Sequence, residues 1–381
     1  MNIVVLKETH AGERRVPLIP ASAEKLVKLG AHLQVEAGIG SSIGIADEAY
    51  TKIGATIFSD RLAALAQADL VLRLNKPDAG DLPRIKKGAI HVSYLDPFNE
   101  KELVRQLAAA GISAVSLELI PRSTIAQKMD VLSSQANLAG YVAVVLAAQR
   151  LDKIFPMMST PAGTIAPTRV FIIGAGVAGL QAIATAKRLG AIVEAFDTRP
   201  VVEEQVKSLG GKFVKVDLGE TGQTKDGYAK ALTEEQLQKQ REAMARHCAG
   251  ADVVITTAQV FGKRAPRIIT AEMVKGMKPG SIIVDMAVET GGNVEGSELD
   301  KEVDVGGVRI IGLGNLPGRV PVHASQMFSS NLFNFIEHFW DKEAKTMPLR
   351  LEDDLIKGCL VTHGGQIVHP LIKSLIEQVP S

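Results

Sequence analysis

The chain has 381 residues, a length that favours two domains over one, and 46% of them are apolar, enough for substantial cores. Its charges nearly cancel at +1 with no long run of one sign, which removes the electrostatic case for nucleic acid or an anionic membrane surface as a partner. The only cysteines, Cys248 and Cys359, exclude a disulfide framework and fit a reducing compartment.

The N-terminal "MNIVVLKETH" reads as a first strand and lacks the apolar stretch of a signal peptide. "HLQVEAG", "ADLVLRLN", "GAIHVSYL" and "ISAVSLELI" follow as further strands. Between them, "PASAEKLVKLG" and "NEKELVRQLAAAG" read as helices ending in glycine, where a left-handed cap is wanted. Strands alternating with helices predict parallel sheets covered on both faces.

Next comes "RSTIAQKMDVLSSQANLAGY" (122–141), with Arg122, Gln127, Asp130, Ser133, Ser134, Gln135 and Asn137 crowded ahead of the apolar "YVAVVLAA". Buried polar groups without partners are costly, so this clump is either solvated or built to hold something. An ordinary helix N-terminus, capped by Ser133 or Ser134 with Asp130 favoured by the helix dipole, accounts for part of it but not for Arg122 and Gln127 together. No segment approaches the roughly 18 apolar residues of a membrane span, and the longest run is 139–148. A soluble chain is expected.

After the Pro/Gly-punctuated loop "FPMMSTPAGTIAPT" a second series runs "RVFII", "IVEAFD", "KFVKV", "DVVITTA", "SIIVDMAV" and "VRIIGLGN". "SSNLFNFIEHFW" then reads as an amphipathic helix. The last segment is only about half as long as the first series and short for a domain of its own, so it is expected to return and complete the first domain. The expected arrangement is therefore a discontinuous first domain, 1–133 plus 318–381, and an inserted domain, 142–312. Crossing helices or linkers occupy 134–151 and 313–330.

"RVFIIGAGVAGLQAIATAKRLGAIVEAFDTR" places Gly174, Gly176 and Gly179 in G-x-G-x-x-G order, after an apolar strand and at the start of a helix. The next strand delivers Asp197. This is the full context of a dinucleotide fingerprint: a tight turn at Gly174, backbone approach to the pyrophosphate at Gly176, and close helix packing at Gly179. The helix N-terminus offers free N–H groups to phosphate. Asp197 suits ribose hydroxyls and repels a 2′-phosphate, favouring NAD(H), although Arg199 beside it is a residue able to meet a 2′-phosphate. The polar stretch "LGETGQTKDGYAKALTEE" reads either as a solvated insertion or as a lid with Tyr228 at its tip. The eight histidines show no metal-ligand spacing, so no metal is expected, and there is no G-x-S-x-G elbow or P-loop.

"KETHAGERRVPLIPASAEKLVKLGA", "MDVLSSQANLAGY", "GAGVAGLQAIATAKRLGA", "KPGSIIVDMAVETGGN" and "IVHP" resemble, in register over nearly the whole chain, two related families. These are alanine dehydrogenase and the NAD(H)-binding α subunit (domain I) of proton-translocating NAD(P) transhydrogenase. The resemblance implies α/β architecture with two Rossmann-like doubly wound parallel-sheet domains and a cleft between them holding NAD(H). Alanine dehydrogenases carry a substrate-binding lysine in "K-x-K-E-P" and a histidine in an "L-H" segment. Here the matching segments read "RLNKP" and "SYLDP", which puts Asn75 and Asp96 in those places. Neither supplies a cation for a carboxylate substrate. Arg15, in "GERRVP", is kept.

The clump at 122–141, by contrast, is similar to the transhydrogenase pattern "R-x-x-x-A-Q-x-M-D-x-L-S-S-Q-x-N-L-A-G-Y" at nearly every position. The resemblance implies that Arg122, Gln127, Asp130 and Ser133 surround the nicotinamide, and that Gly227 and Tyr228 belong to a mobile loop. Together with the fingerprint it sets the nucleotide-site candidates as Gly174, Gly176, Val177, Ala178, Gly179, Asp197, Thr198, Arg199, Gly227, Tyr228, Ala258 and Gln259. The expected function is a peripheral NAD(H)-binding subunit presenting NADH for direct hydride transfer to NADP⁺ on a partner subunit, coupled to proton translocation. Such transfer needs apposed rings rather than an acid or base on this chain. The implied partners are membrane-spanning and NADP(H)-binding transhydrogenase subunits, with a second copy of this chain making a homodimer. The implied location is the cytoplasmic face of the inner membrane, reached through those partners without direct insertion. Two alternatives remain open: a soluble amino- or oxo-acid dehydrogenase using Asp96, and a non-catalytic NAD(H)-sensing module.

Overall fold

A computed structural model describes residues 1–217 and 233–377. The chain divides into two compact units, Met1–Gln135 with Gly318–Ser381, and Ala136–Pro317.

In the first unit, β1 (Asn2–Val5), β2 (His32–Glu36), β3 (Thr56–Phe58), β4 (Leu70–Leu72), β5 (Ile90–Ser93) and β6 (Ser113–Ser116) run parallel in the order β6-β5-β4-β1-β2-β3. The C-terminal segment adds Leu360–His363 antiparallel to β6, and Gln366–Ile367 lies outside that. Ile3, Val4, Val5, Leu70, Val71 and Leu72 are all fully buried, as strands covered on both faces must be. α1 (Pro20–Lys28) opens with proline, whose missing N–H is not needed there, and α2 (Lys101–Ala109) buries Leu103, Val104, Leu107 and Ala108. The helix Pro321–Phe339 also starts at proline and buries Ala324, Phe328, Leu332, Phe335, Ile336 and Phe339, a stripe at helical spacing. It begins ahead of the predicted "SSNLFNFIEHFW".

α3 (Val131–Arg150) starts in the first unit and continues into the second. Among the described residues it is the one helix long and apolar enough, by length and composition, to cross a membrane. This corrects the sequence reading, which counted only the run 139–148; Ser133, Ser134, Gln135 and Asn137 do not interrupt the helix. Half of its apolar window is buried within the protein, the same signature that a core helix gives.

In the second unit, β7 (Arg169–Ile173), β8 (Ile192–Phe196), β9 (Lys212–Phe213), β10 (Val253–Thr256), β11 (Ile282–Asp285) and β13 (Val308–Gly312) are parallel, and β12 (Lys301–Val305) is an antiparallel edge. Their order is β9-β8-β7-β10-β11-β13-β12. α4 (Val177–Arg188) crosses from β7 to β8. The order of strand addition reverses between β7 and β10, which run parallel; such a switch point is where open α/β sheets bind ligands beyond their strand ends. The equivalent reversal in the first unit lies between β1 and β4.

Both sheets are α/β and Rossmann-like, as strand–helix alternation predicts. The sequence reading did not anticipate β3, β12 or Leu360–His363, each short and set close to glycines. It predicted a strand over "KFVKV", of which only Lys212–Phe213 pair. Residues Met158–Thr160 and Gly163–Ile165, read as loop, form a two-stranded ribbon.

Candidate nucleotide-binding site

The fingerprint turn follows β7. Gly174 has φ +98°, a left-handed conformation that L side chains rarely adopt, and a Cβ there would lie 2.4 Å from Thr257 Oγ1. At Gly179 a Cβ would lie 1.9 Å from Gly174 O, so α4 rests directly on the turn. A Cβ on Gly176, in contrast, would meet nothing nearer than Arg199 Nη2 at 3.9 Å, which leaves its backbone open to a ligand. Gly176 is the N-cap of α4 and no side chain caps the helix. The first-turn N–H groups at Val177 and Ala178 thus keep their dipole for an external acceptor. An open glycine face over an uncapped helix end fits a dinucleotide pyrophosphate. α3 packs against the same turn: a Cβ on Gly140 would lie 2.1 Å from Ala178 O.

Asp197 follows β8. Its carboxylate accepts from Ala175 N at 2.8 Å and Arg199 N at 2.9 Å, and Arg199 grips it through Nε at 2.9 Å and Nη2 at 2.7 Å. The bond to Asp197 holds the Arg199 guanidinium more firmly protonated than usual, against the opposing effect of burial. Arg199 is therefore committed to Asp197, and Thr198 lies between them in the chain. Ala258 has both backbone polar groups taken by Asn293 and packs against the hydrophobic core of its unit, while Gln259 is exposed and donates to Met286 O at 3.4 Å. Thr257, Asp285 and Asn293, which hold this turn, were not singled out from sequence, although "VDMAVETGGN" contains two of them. Gly227 and Tyr228 lie outside the described residues.

In the first unit, Arg122, Gln127, Asp130 and Ser133 line one cavity of about 440 Å³ together with Pro121, Ser123, Thr124 and Ala126. Asp130, not a serine, caps α3: it accepts from Ser133 N at 2.8 Å and Ser133 Oγ at 2.6 Å. Ser134 Oγ turns instead to Asn331 Oδ1 at 2.6 Å. Gln127 sits on a 3₁₀ turn, Ile125–Met129, anchored by buried Ala126 and Met129. Asn331 and Asn334 both donate to Lys128 O, at 2.9 and 3.0 Å, so the helix Pro321–Phe339 fixes the turn that carries Gln127.

The family model for the alanine dehydrogenase/PNT N-terminal domain matches residues 4–139, and that for the alanine dehydrogenase/PNT C-terminal domain matches 143–370. The chain belongs to the alanine dehydrogenase/PNT family. Within this family it is 47% identical to an NAD(P) transhydrogenase subunit alpha polypeptide of Rhodospirillum rubrum, over 98% of this chain and 99% of that one. The crystal structure of transhydrogenase from Sinorhizobium meliloti is 42% identical, with TM-score 0.85, over 97% of this chain and 100% of that one. A structure of L-alanine dehydrogenase superposes nearly as well, at TM-score 0.83 over 99% of each chain, with 26% identity.

Asn75, Arg15 and Asp96, the positions compared above with alanine dehydrogenase, are all engaged by neighbouring groups of the first unit. Asn75 Nδ2 donates to Glu8 Oε2 at 3.1 Å and Glu13 Oε2 at 3.3 Å. Arg15 is buried, with Nε and Nη2 on Glu13 at 2.9 and 2.7 Å and Nη1 on Gln135 Oε1 at 2.9 Å. Asp96 stands at φ +49° with its N–H on Glu118 and its carboxylate accepting from Asn99 Nδ2 at 2.8 Å. Burial pushes the Asp96 carboxyl up, against the Asn99 hydrogen bond and the Lys76 charge.

Burial alone would raise the Glu13 carboxyl as well, but the hydrogen bonds and charge of Arg15 outweigh it and hold Glu13 below the ordinary range. A depressed carboxylate contributes stability above its unfolded pKa, about 4.3 for Glu, and loses it as pH falls through the folded value. Glu13→Gln, which strands a buried guanidinium, is expected to cost about 3 kcal/mol at pH 7. In urea unfolding the gap from the unsubstituted protein should narrow only below about pH 4.3. A gap constant from pH 7 to pH 3 would assign the loss to packing instead.

Proposed function

We propose that this chain is the NAD(H)-binding α-type component of a proton-translocating transhydrogenase, presenting NADH for direct hydride transfer to NADP⁺ on a partner subunit. The family and the full-length likeness to transhydrogenase α subunits support the coarser reading, an NAD(H)-binding transhydrogenase component. The observation that carries the finer reading is the fate of Arg15 and Asn75: both are consumed by Glu8, Glu13 and Gln135. No cation at these positions remains for an oxo-acid carboxylate, while the polar cavity at 121–133 stays open.

NADH supplies, when bound, the hydride of its dihydronicotinamide. The residues of this chain bind and orient it. The turn at Gly174–Gly179 and the first N–H groups of α4 take the pyrophosphate, and Asp197 takes ribose hydroxyls by exchanging some of its hold on Arg199. Gln127, able to donate and accept, addresses the carboxamide, and Arg122 and Ser133 complete the polar lining over a loop fixed by Asp130. No proton accompanies the hydride, so the chain needs no general acid or base.

Membrane-spanning and NADP(H)-binding subunits complete the proposed assembly, which places this chain on the cytoplasmic membrane face through them. A homodimer fits the ribbon at 158–165, whose residues are all exposed, with Met158 and Ile165 at 45% and 50%. Deleting 157–166 is expected to leave a monomer in sedimentation analysis; an unchanged dimer would place the interface elsewhere.

Reconstitution tests the function. Membranes of the source cell, stripped of peripheral proteins and given back this purified chain, should transfer hydride from NADH to an NADP⁺ analogue, with neither component active alone. Intact NADH binding without transfer on verified membranes would favour the sensing module. Turnover of NADH with an oxo acid and ammonia by the chain alone would favour the dehydrogenase.

A further inference from the structure

We infer that Asn293 is the positioning residue of the nucleotide fingerprint, holding the turn Thr257–Gln259 against the glycine turn so that the pyrophosphate cradle keeps its shape. The inference rests on the reading that the fingerprint binds NAD(H). Asn293 is fully buried and far from the G-x-G-x-x-G segment in sequence. Its carboxamide clamps both backbone polar groups of Ala258: Oδ1 accepts from Ala258 N at 3.1 Å and Nδ2 donates to Ala258 O at 2.8 Å. Nδ2 gives its second proton to Pro266 O at 2.8 Å. An amide donating and accepting against one residue's backbone fixes that residue in position and in rotation, which a single hydrogen bond does not.

The clamp is itself anchored. Asp285, fully buried at the end of β11, accepts from Asn293 N at 3.1 Å, Val294 N at 3.3 Å and Ala287 N at 3.0 Å, and from Thr256 Oγ1 at 3.2 Å. On its other side the held turn touches the cradle: Thr257 Oγ1 donates to Gly174 O at 3.1 Å, and Thr257 N donates to Ile173 O at 2.9 Å. The path from Asp285 through Asn293 and Ala258 to Thr257 ends on the carbonyl against which Gly179 packs. None of these groups is aimed at a ligand; they decide where the groups that bind one stand.

The test uses the purified chain and two probes, ADP-ribose, which carries the pyrophosphate, and adenosine, which does not. Asn293→Ala leaves Ala258 N and O without partners and is expected to weaken ADP-ribose and NADH by about tenfold or more in calorimetric titration. Adenosine, competed against NADH, should be affected far less. Asn293→Asp, which sets an oxygen against two carbonyls, should behave like Asn293→Ala. Thr257→Val keeps the shape but cuts the link to Gly174, and it carries the same prediction if the Asn293 variants fail to fold. A folded variant with undiminished ADP-ribose affinity would overturn the inference, as would equal loss of both probes. An unsubstituted chain that binds neither ADP-ribose nor NADH would overturn the nucleotide reading itself.

Discussion

Gly179→Ala is expected to abolish NADH binding at micromolar concentrations, while Gly176→Ala weakens binding and leaves folding intact. The two glycines share one motif but stand in different surroundings. A methyl group on Gly179 would lie 1.9 Å from Gly174 O and 2.9 Å from Gly174 C, a collision with backbone that no rotamer relieves. α4 must then move off the turn, at a stability cost of about 1–3 kcal/mol for overpacking. A helix N-terminus displaced from the cradle should lose at least about a hundredfold in affinity, or 2.8 kcal/mol at tenfold per 1.4. At Gly176 the nearest atom to an added methyl is Arg199 Nη2 at 3.9 Å, so the melting temperature should not change. The methyl would nonetheless fill the face across which a pyrophosphate approaches. Calorimetry with NADH beside thermal unfolding separates the cases. Full affinity in folded Gly176→Ala would move the pyrophosphate away from this turn.

That contrast marks how far the sequence could be read. G-x-G-x-x-G assigned three glycines to three tasks because its spacing is a backbone property, and backbone geometry repeats wherever a strand meets a helix. Strand–helix alternation likewise gave the α/β class. What stayed hidden depends on pairing between distant segments. Asn293 reads as a residue after two glycines until Ala258 is seen between its donor and acceptor. The Glu13–Arg15–Gln135 bonds join residues whose polarity alone says nothing about their partners. The short strands Thr56–Phe58 and Lys301–Val305 are decided by neighbours in the sheet rather than by their own periodicity. At 122–141 the clump stood out as polar, and part of it does line a cavity, but which residue caps the helix did not show. Serine was the obvious cap, yet Asp130 takes that place because its carboxylate reaches both the amide and the hydroxyl of Ser133.

Gln127→Asn is expected to slow hydride transfer in the reconstituted system by at least about tenfold, a barrier increase of 1.4 kcal/mol, with NADH affinity changed by less than about twofold, 0.4 kcal/mol. The substitution keeps an amide that donates and accepts, and removes one methylene of reach. The turn beneath it should not shift, because Ala126 and Met129 are buried and Lys128 O is held by Asn331 and Asn334. Only the position of the carboxamide changes. The substitution leaves the glycine turn proposed for the pyrophosphate untouched, so exchanging one amide for another should cost little binding. Transfer between two rings falls steeply when one of them is held loosely, since near-attack geometry is what the protein contributes. Unchanged transfer would remove Gln127 from the mechanism. Loss of affinity matching the loss of rate would make it a binding residue that does not orient the ring, and would shift the orienting role to Arg122 and Ser133 in the same cavity.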